Sequence, residues 1–241
     1  MKNIILHLAL ALVLAPLALA QDAFVTDEQA PKAPGGGGDI TDSLRAWWKF
    51  DDGSGTTAVD NEGNTYPGTL EGSTIPTWTT GHIDGGLDFP DTDSSVNFGG
   101  SLLGTGDKSV SCWINFDNLP GAVCGVLADS KFAMGVNSGG AVVVTGDGGV
   151  TTANGAASIT TASWHFICAT VTSAGTCNIY VNGALSGTAN QATGTPSTSA
   201  FNFEAGSSVS AIGGDYKMDD VRIYDRILSA AEVDQIWDFF P

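Results

Sequence analysis

The chain has 241 residues, 42% of them apolar, 32 glycines, and a formal net charge of −17 from 26 Asp and Glu against 9 Lys and Arg. So acidic a chain is a poor partner for nucleic acid or an anionic membrane, both of which are held by positive charge. Asp outnumbers Glu 21 to 5; the short carboxylate favours turns and is a ready oxygen ligand, so the excess points either to loops that hold calcium or to a solvated acidic surface.

In chain order, "MKNIILHLALALVLAPLALA" (1–20) has a Lys near its start, an apolar run and an Ala-Leu-Ala ending, the pattern of a secretory signal peptide. The expected location is therefore secreted, extracellular or at the cell surface, with the periplasm open, and no later stretch is apolar and long enough for membrane insertion after cleavage. Residues 21–40, "QDAFVTDEQAPKAPGGGGDI", lack periodicity and read as a flexible tether containing Gly and Pro. The segment 41–241 shows no second linker and no internal repeat, which fits one large domain.

Within it, runs rich in Val, Ile, Thr and aromatics alternate with Gly-, Asp-, Asn- and Ser-rich breaks. Strands are predicted at "LRAWWKF" (44–50), "KSVSCWINF" (108–116), "AVCGVLAD" (122–129), "AVVVTG" (141–146), "SWHFICATV" (163–171), "CNIYVNG" (177–183) and "KMDDVRIYD" (217–225). Such a series predicts an all-β, two-sheet antiparallel sandwich. In the hairpin 164–183 a turn at Thr172 to Gly175 would set Cys168 opposite Ile179 and Cys177 opposite Thr170, with Phe166, Cys168 and Thr170 on one face. One short α-helix is predicted near the C-terminal end, where Ser229 and Glu232 form a capping box and Leu228, Val233, Ile236 and Trp237 make an apolar stripe. A helix of about ten residues is marginal alone in water, so it should dock on the domain, over an edge or the base of the sandwich.

Four cysteines, Cys112, Cys124, Cys168 and Cys177, form an even set that an oxidising compartment could pair. Their spacings are not those of a zinc site. The hairpin register places Cys168 and Cys177 diagonally, which favours a Cys112–Cys124 bridge and leaves the other two open.

Taken together and in order, "LRAWWKFDDGSGTTAVDNEGN", "TGHIDGGLDF", "SVSCWINF", "WHFICATV", "CNIYVNG" and "MDDVRIYDRILSAAEV" resemble the laminin-G-like, concanavalin A-like jelly-roll domains of bacterial secreted proteins, over Leu44 to about Trp237. The resemblance implies a jelly roll whose first and last strands pair, a frequent calcium ion, and a role in binding glycans or proteins.

If those strands pair, Asp51 and Asp52 approach Asp219 and Asp220. Four carboxylates at one end of a sheet repel one another unless they are protonated, spread into solvent or bridged by a cation. Calcium takes six to eight oxygen ligands, and the "VDNEGN" loop could add Asp60 and Asn64. The alternative is that Asp51 and Asp52 cap a turn and that Asp219 or Asp220 accepts backbone amides. "PDTDSS" (90–95) is a weaker acidic loop. Aromatic rings are platforms for sugar C–H faces. Trp78 and Tyr66 lie in Gly/Pro/Thr-rich segments and Tyr216 in the expected loop before the last strand, so these three are the candidate ligand contacts, with core packing the alternative for Trp78. Trp47, Trp48, Trp113 and Trp164 are expected to serve the core, at least in part.

No enzyme is expected. Retaining glucanases of this fold class use a Glu-x-Asp-x-x-Glu strand motif whose carboxyl groups stand about 5 Å apart, and the chain lacks one. Glu28 lies in the tether, Glu232 in the capping box, and Glu62, Glu71 and Glu204 in separate loops. His82 and His165 come with no nucleophile elbow. The sequence reads as a non-catalytic recognition module for a glycan or glycosylated surface, with a structural calcium ion as the expected cofactor. The rival readings are a structural protein that self-associates or coats the cell surface and, behind it, a glycoside hydrolase.

Overall fold

Alternating apolar residues between turn signals become strands wherever both faces can be covered. The computed structural model describes residues 38–90, 93–99, 102–103, 106–128, 132–145, 152–190, 202–204 and 215–239. The expected signal peptide, nearly all of the tether, and Asp91 of the "PDTDSS" loop lie outside them.

In chain order the elements are β1 (Leu44–Trp48), β2 (Thr57–Ala58), β3 (Gly68–Glu71), β4 (Thr77–Thr80), β5 (Gly85–Phe89), β6 (Ser95–Asn97), β7 (Lys108–Phe116), β8 (Cys124–Ala128), β9 (Ala133–Val136), β10 (Ala141–Thr145), β11 (Thr152–Ser158), β12 (His165–Val171), β13 (Thr176–Val181), β14 (Ala184–Asn190), β15 (Asn202–Glu204), β16 (Tyr216–Tyr224) and α1 (Ala230–Asp238). They build the expected antiparallel jelly-roll sandwich. One sheet runs β14-β13-β12-β7-β16-β5-β4, with β1 also on β16; the other runs β11-β10-β9-β8-β15-β6-β3-β2. Among the described residues no helix is long and apolar enough to cross a membrane.

The main core lies between the sheets and includes Trp48, Phe50, Leu87, Phe89, Ile114, Phe116, Ile167, Ile179, Met218 and Ile223. A second cluster, Trp113, Phe166, Cys168, Tyr180, Tyr224, Leu228, Val233 and Ile236, lies on the outer face of the first sheet. There α1 supplies the cover. The helix therefore lies on the outer face of the first sheet and reaches its edge strand β14, in part the edge cover the sequence suggested, because β7, β12, β13 and β16 each set a ring on that face, Trp113, Phe166, Tyr180 and Tyr224, that must be buried. Its capping box is formed: Ser229 Oγ accepts from Glu232 N–H at 3.3 Å, and Ser229 N–H donates to Glu232 Oε2 at 2.7 Å.

The β12–β13 hairpin differs from expectation by one residue. Val171 faces Cys177, Thr170 faces Asn178, Ala169 faces Ile179 and Cys168 faces Tyr180. Thr172 N–H donates to Thr176 C=O at 2.9 Å, and Gly175 has φ +91°. The loop is thus the three residues 173–175 with glycine in the left-handed region, where the sequence reading allowed four. The slip puts Cys168 in the outer cluster and Cys177 in the inner core. All four cysteines are buried and none is in a disulfide, so neither the favoured Cys112–Cys124 bridge nor another is formed.

β1 and β16 pair antiparallel, with Trp47 opposite Arg222 and Trp48 opposite Val221. Along β16 the register to β7 shifts between Asp219, opposite Trp113, and Arg222, opposite Ser111. Asp220 there has φ +47°. Met218 and Val221 both belong to the inner core, so this bulge turns two consecutive aspartates away from it.

Candidate ligand site

The bulge, the end of β1 and the tight loop before β5 converge. Trp47, Lys49, Asp51, Ile83, Asp84, Asp219 and Asp220 line a pocket of about 120 Å3. Asp219 is 1% exposed and clamps the loop: Ile83 N–H donates to its Oδ2 at 2.8 Å, while Asp220 N–H donates to its Oδ1 at 2.6 Å. Beyond the end of β1, Asp51 Oδ1 accepts Gly85 N–H at 2.8 Å. Glycine is required where these pieces meet: a Cβ on Gly81 would lie 1.8 Å from Gly85 O and 2.6 Å from Asp219 Oδ2.

Asp220 is 2% exposed and paired differently. Its Oδ1 accepts Trp47 Nε1–H at 2.5 Å and Arg222 Nε–H at 3.3 Å, and Arg222 stands 3.1 Å from its Oδ2. Arg222 and Lys49 both lie against the Trp47 ring, at 4.6 and 4.4 Å from its centroid. Among the described residues no cation pairs with Asp219 in this way. Burial, reinforced by the Asp220 and Asp51 charges, pushes its pKa up to about 8 against the pull of the two amides.

The sequence expectations divide here. Asp51, Asp219 and Asp220 do come together, joined by Asp84, which the sequence reading did not single out although its Gly-flanked setting in "HIDGG" marks a turn. Asp52, Asp60 and Asn64 do not line the pocket. Asp52 accepts Val59 N–H at 3.2 Å. Asp60, 1% exposed, takes four amides: Trp47 and Glu62 on Oδ1 at 3.0 and 2.9 Å, and Thr65 and Tyr66 on Oδ2, both at 3.1 Å. It organises its own turn and ties that turn to β1. Among the described residues no group of three or more His, Cys, Asp or Glu is arranged to hold a metal by itself. The chemistry of the pocket still suits a hard cation, because Asp219 is a buried carboxyl among like charges, but such an ion would need carbonyl or water oxygens as well.

Of the candidate ligand contacts, Tyr216 is corrected. It is not in a loop but opens β16, fully buried, stacked on Phe89 (5.2 Å) and tilted against Phe116 (5.0 Å). Its spacing of two from Met218 was the available signal. Tyr66 is half-buried against the core, with Arg45 over its ring at 5.5 Å and donating to its hydroxyl at 3.2 Å. Trp78 is half-buried on β4, packed on the core and donating Nε1–H to Gly55 C=O at 2.9 Å.

The loop before β5 also carries His82, whose ring stacks on Trp113 at 3.6 Å and meets Trp164 at 6.1 Å and 54°. Trp113 is buried, while His82 and Trp164 are half-buried. These rings stand beside the carboxylate pocket because β16 pairs Asp219 with Trp113.

Residues 90–234, more than half of the chain, match the Laminin_G_3 profile, described as the concanavalin A-like lectin/glucanases superfamily. No curated protein matches the sequence. Among solved structures, the chain is similar to the binding domain of Paraclostridial mosquitocidal protein 1, with TM-score 0.64, 18% identity, and coverage of 83% of this chain and 53% of that one. It is also similar to domain 4 of AbnA, a GH43 extracellular arabinanase from Geobacillus stearothermophilus, in complex with arabinotriose, with TM-score 0.63, 20% identity, and coverage of 83% and 98%. A third is the binding domain of botulinum neurotoxin DC in complex with rat synaptotagmin II, with TM-score 0.63, 14% identity, and coverage of 84% and 52%. The chain spans about half the length of the two toxin binding domains and nearly all of the arabinanase domain. At these identities the likeness is one of fold, and it agrees with the two-sheet topology and with the matched segment. The chain belongs to the concanavalin A-like lectin/glucanases superfamily.

Proposed function

We propose that the chain is a secreted or surface-held, non-catalytic module that recognises a glycan or a glycosylated surface. The observation that carries this reading is the carboxylate-lined pocket beside half-buried aromatic rings: carboxylate oxygens accept from sugar hydroxyls, and rings pack against sugar C–H faces. The arabinotriose complex of the arabinanase domain, a neighbour covered over nearly its full length, supports it. A hydrolase reading is weaker, because Asp219 and Asp220, the buried carboxyl pair, are already taken up by amides, by Trp47 and by Arg222. A structural calcium at this pocket would draw most of its ligands from carbonyl and water oxygens beside Asp219, and it would offset the burial and neighbouring charge that make Asp219 retain a proton. A glycan array with and without calcium tests the function, retention of an oligosaccharide being the expected result. Concentration-dependent assembly on size exclusion, with no sugar retained, would replace it by the structural-protein reading.

A further inference from the structure

We infer that His82 and Trp164 form the platform on which a pyranose or furanose ring of the ligand packs, with the exposed Asp84 at its polar edge. The inference rests on the glycan-recognition reading and names the surface that reading requires.

The six tryptophans do not offer equal surfaces. Trp48 is fully buried and Trp113 lies beneath His82. Trp78 spends its N–H on Gly55 and its ring on the core. Lys49 and Arg222 cover the Trp47 ring. Trp237 packs on the outer cluster and lies 2.8 Å from where a Cβ on Gly183 would stand. Trp164 also packs on the outer cluster but stays half-buried, with the half-buried His82 ring set at 54° to it, so the two rings form a corner rather than a flat patch.

Both sides of that corner stand on fixed backbone. The His82 side is held by Asp219 on Ile83 N–H, by Asp51 on Gly85 N–H and by Gly81 N–H to Asp84 C=O at 3.1 Å. On the Trp164 side, the next residue, His165, accepts Thr160 N–H on Nε2 at 3.2 Å and meets Asn182 Nδ2 through Nδ1 at 3.3 Å, while Asn182 Oδ1 accepts Phe166 N–H at 3.0 Å. A ligand would therefore meet two rings already in place, which removes an ordering cost from binding. The residues that hold the His82 loop also line the carboxylate pocket, so a ring seated in the corner has Asp84 within the same loop to accept its hydroxyls.

The test uses the full chain in calcium buffer and isothermal titration with a panel of neutral trisaccharides that includes arabinotriose. His82→Ala and Trp164→Ala should each weaken the binding sugar at least tenfold, while His82→Phe, which keeps a ring, retains most of the affinity. Leu185→Ala, on the edge strand β14, should leave it unchanged. Should the alanine variants unfold, histidine NMR of the wild-type chain decides instead: the sugar should shift the His82 ring resonances and leave His165 in place. Undiminished binding by both alanine variants, or a ligand that leaves His82 unshifted, overturns the platform and leaves glycan recognition standing. Failure of the wild-type chain to bind any sugar overturns both.

Discussion

At the scale of single residues, two buried aspartates do opposite electrostatic work. Asp60 spreads its charge over four backbone N–H groups, so Asp60→Ala would strand several buried donors at once. A loss of about 3 kcal/mol or more is expected by urea unfolding, with Asp60→Asn costing less because one oxygen survives. Asp219 holds a proton that the unfolded chain releases near pH 4, since its folded pKa is about 8 against 3.8. The folded state therefore binds more protons between those values, and this stabilisation is complete below the lower value and lost as pH rises through the upper one. Without calcium, Tm should fall from about pH 5 to pH 8 and then level, and Asp219→Asn should flatten the slope. Added calcium should raise Tm more at pH 8 than at pH 5. A Tm indifferent to calcium and chelator at both would remove the ion from the site. The sequence made the Asp219–Asp220 pair visible because it stands at a strand mouth. It could not separate their roles, which depend on a bulge and on Arg222 reaching one carboxylate only.

At the scale of elements, local signals were the legible ones. The capping box is an i, i+3 pattern and formed as read; Ser229→Ala should cost about 1 kcal/mol in chemical denaturation, with unchanged secondary structure in the folded baseline. β7 matches its predicted range and β16 begins one residue earlier than read, because both are long, nine-residue strands with apolar residues recurring on one face. Short strands such as β2, β4 and β6 escaped, since two to four residues carry no periodicity. The docking face of α1 was also hidden. It is fixed by Trp113, Phe166, Tyr180 and Tyr224, one ring from each of four strands, meeting on a single outer face.

For the molecule as a whole, the order of strands came from resemblance more than from patterning, because antiparallel pairs far apart in sequence leave no local mark. The buried thiols show the same limit: an even cysteine count suggested bridges, whereas the register puts Cys168 and Cys177 on opposite faces. Burial pushes the Cys112, Cys168 and Cys177 thiols up in pKa, and the thiolate is the reactive form. Ellman's reagent should thus find almost no thiol in the native protein at pH 8 and all four cysteines in guanidinium. Two equivalents in guanidinium without reductant would instead reveal a bridge.

The position of β16 has a consequence in time. Its neighbours β1, β5 and β7 are all made earlier, yet it lies between them in the first sheet. During synthesis those strands have no central partner until residues 216–224 emerge, so the nascent domain waits with its two halves unjoined. Because that closure spans almost the whole domain, its loop entropy falls due in a single late step. Folding of this chain should therefore be slow and all-or-none, with vectorial growth supplying little stable structure along the way.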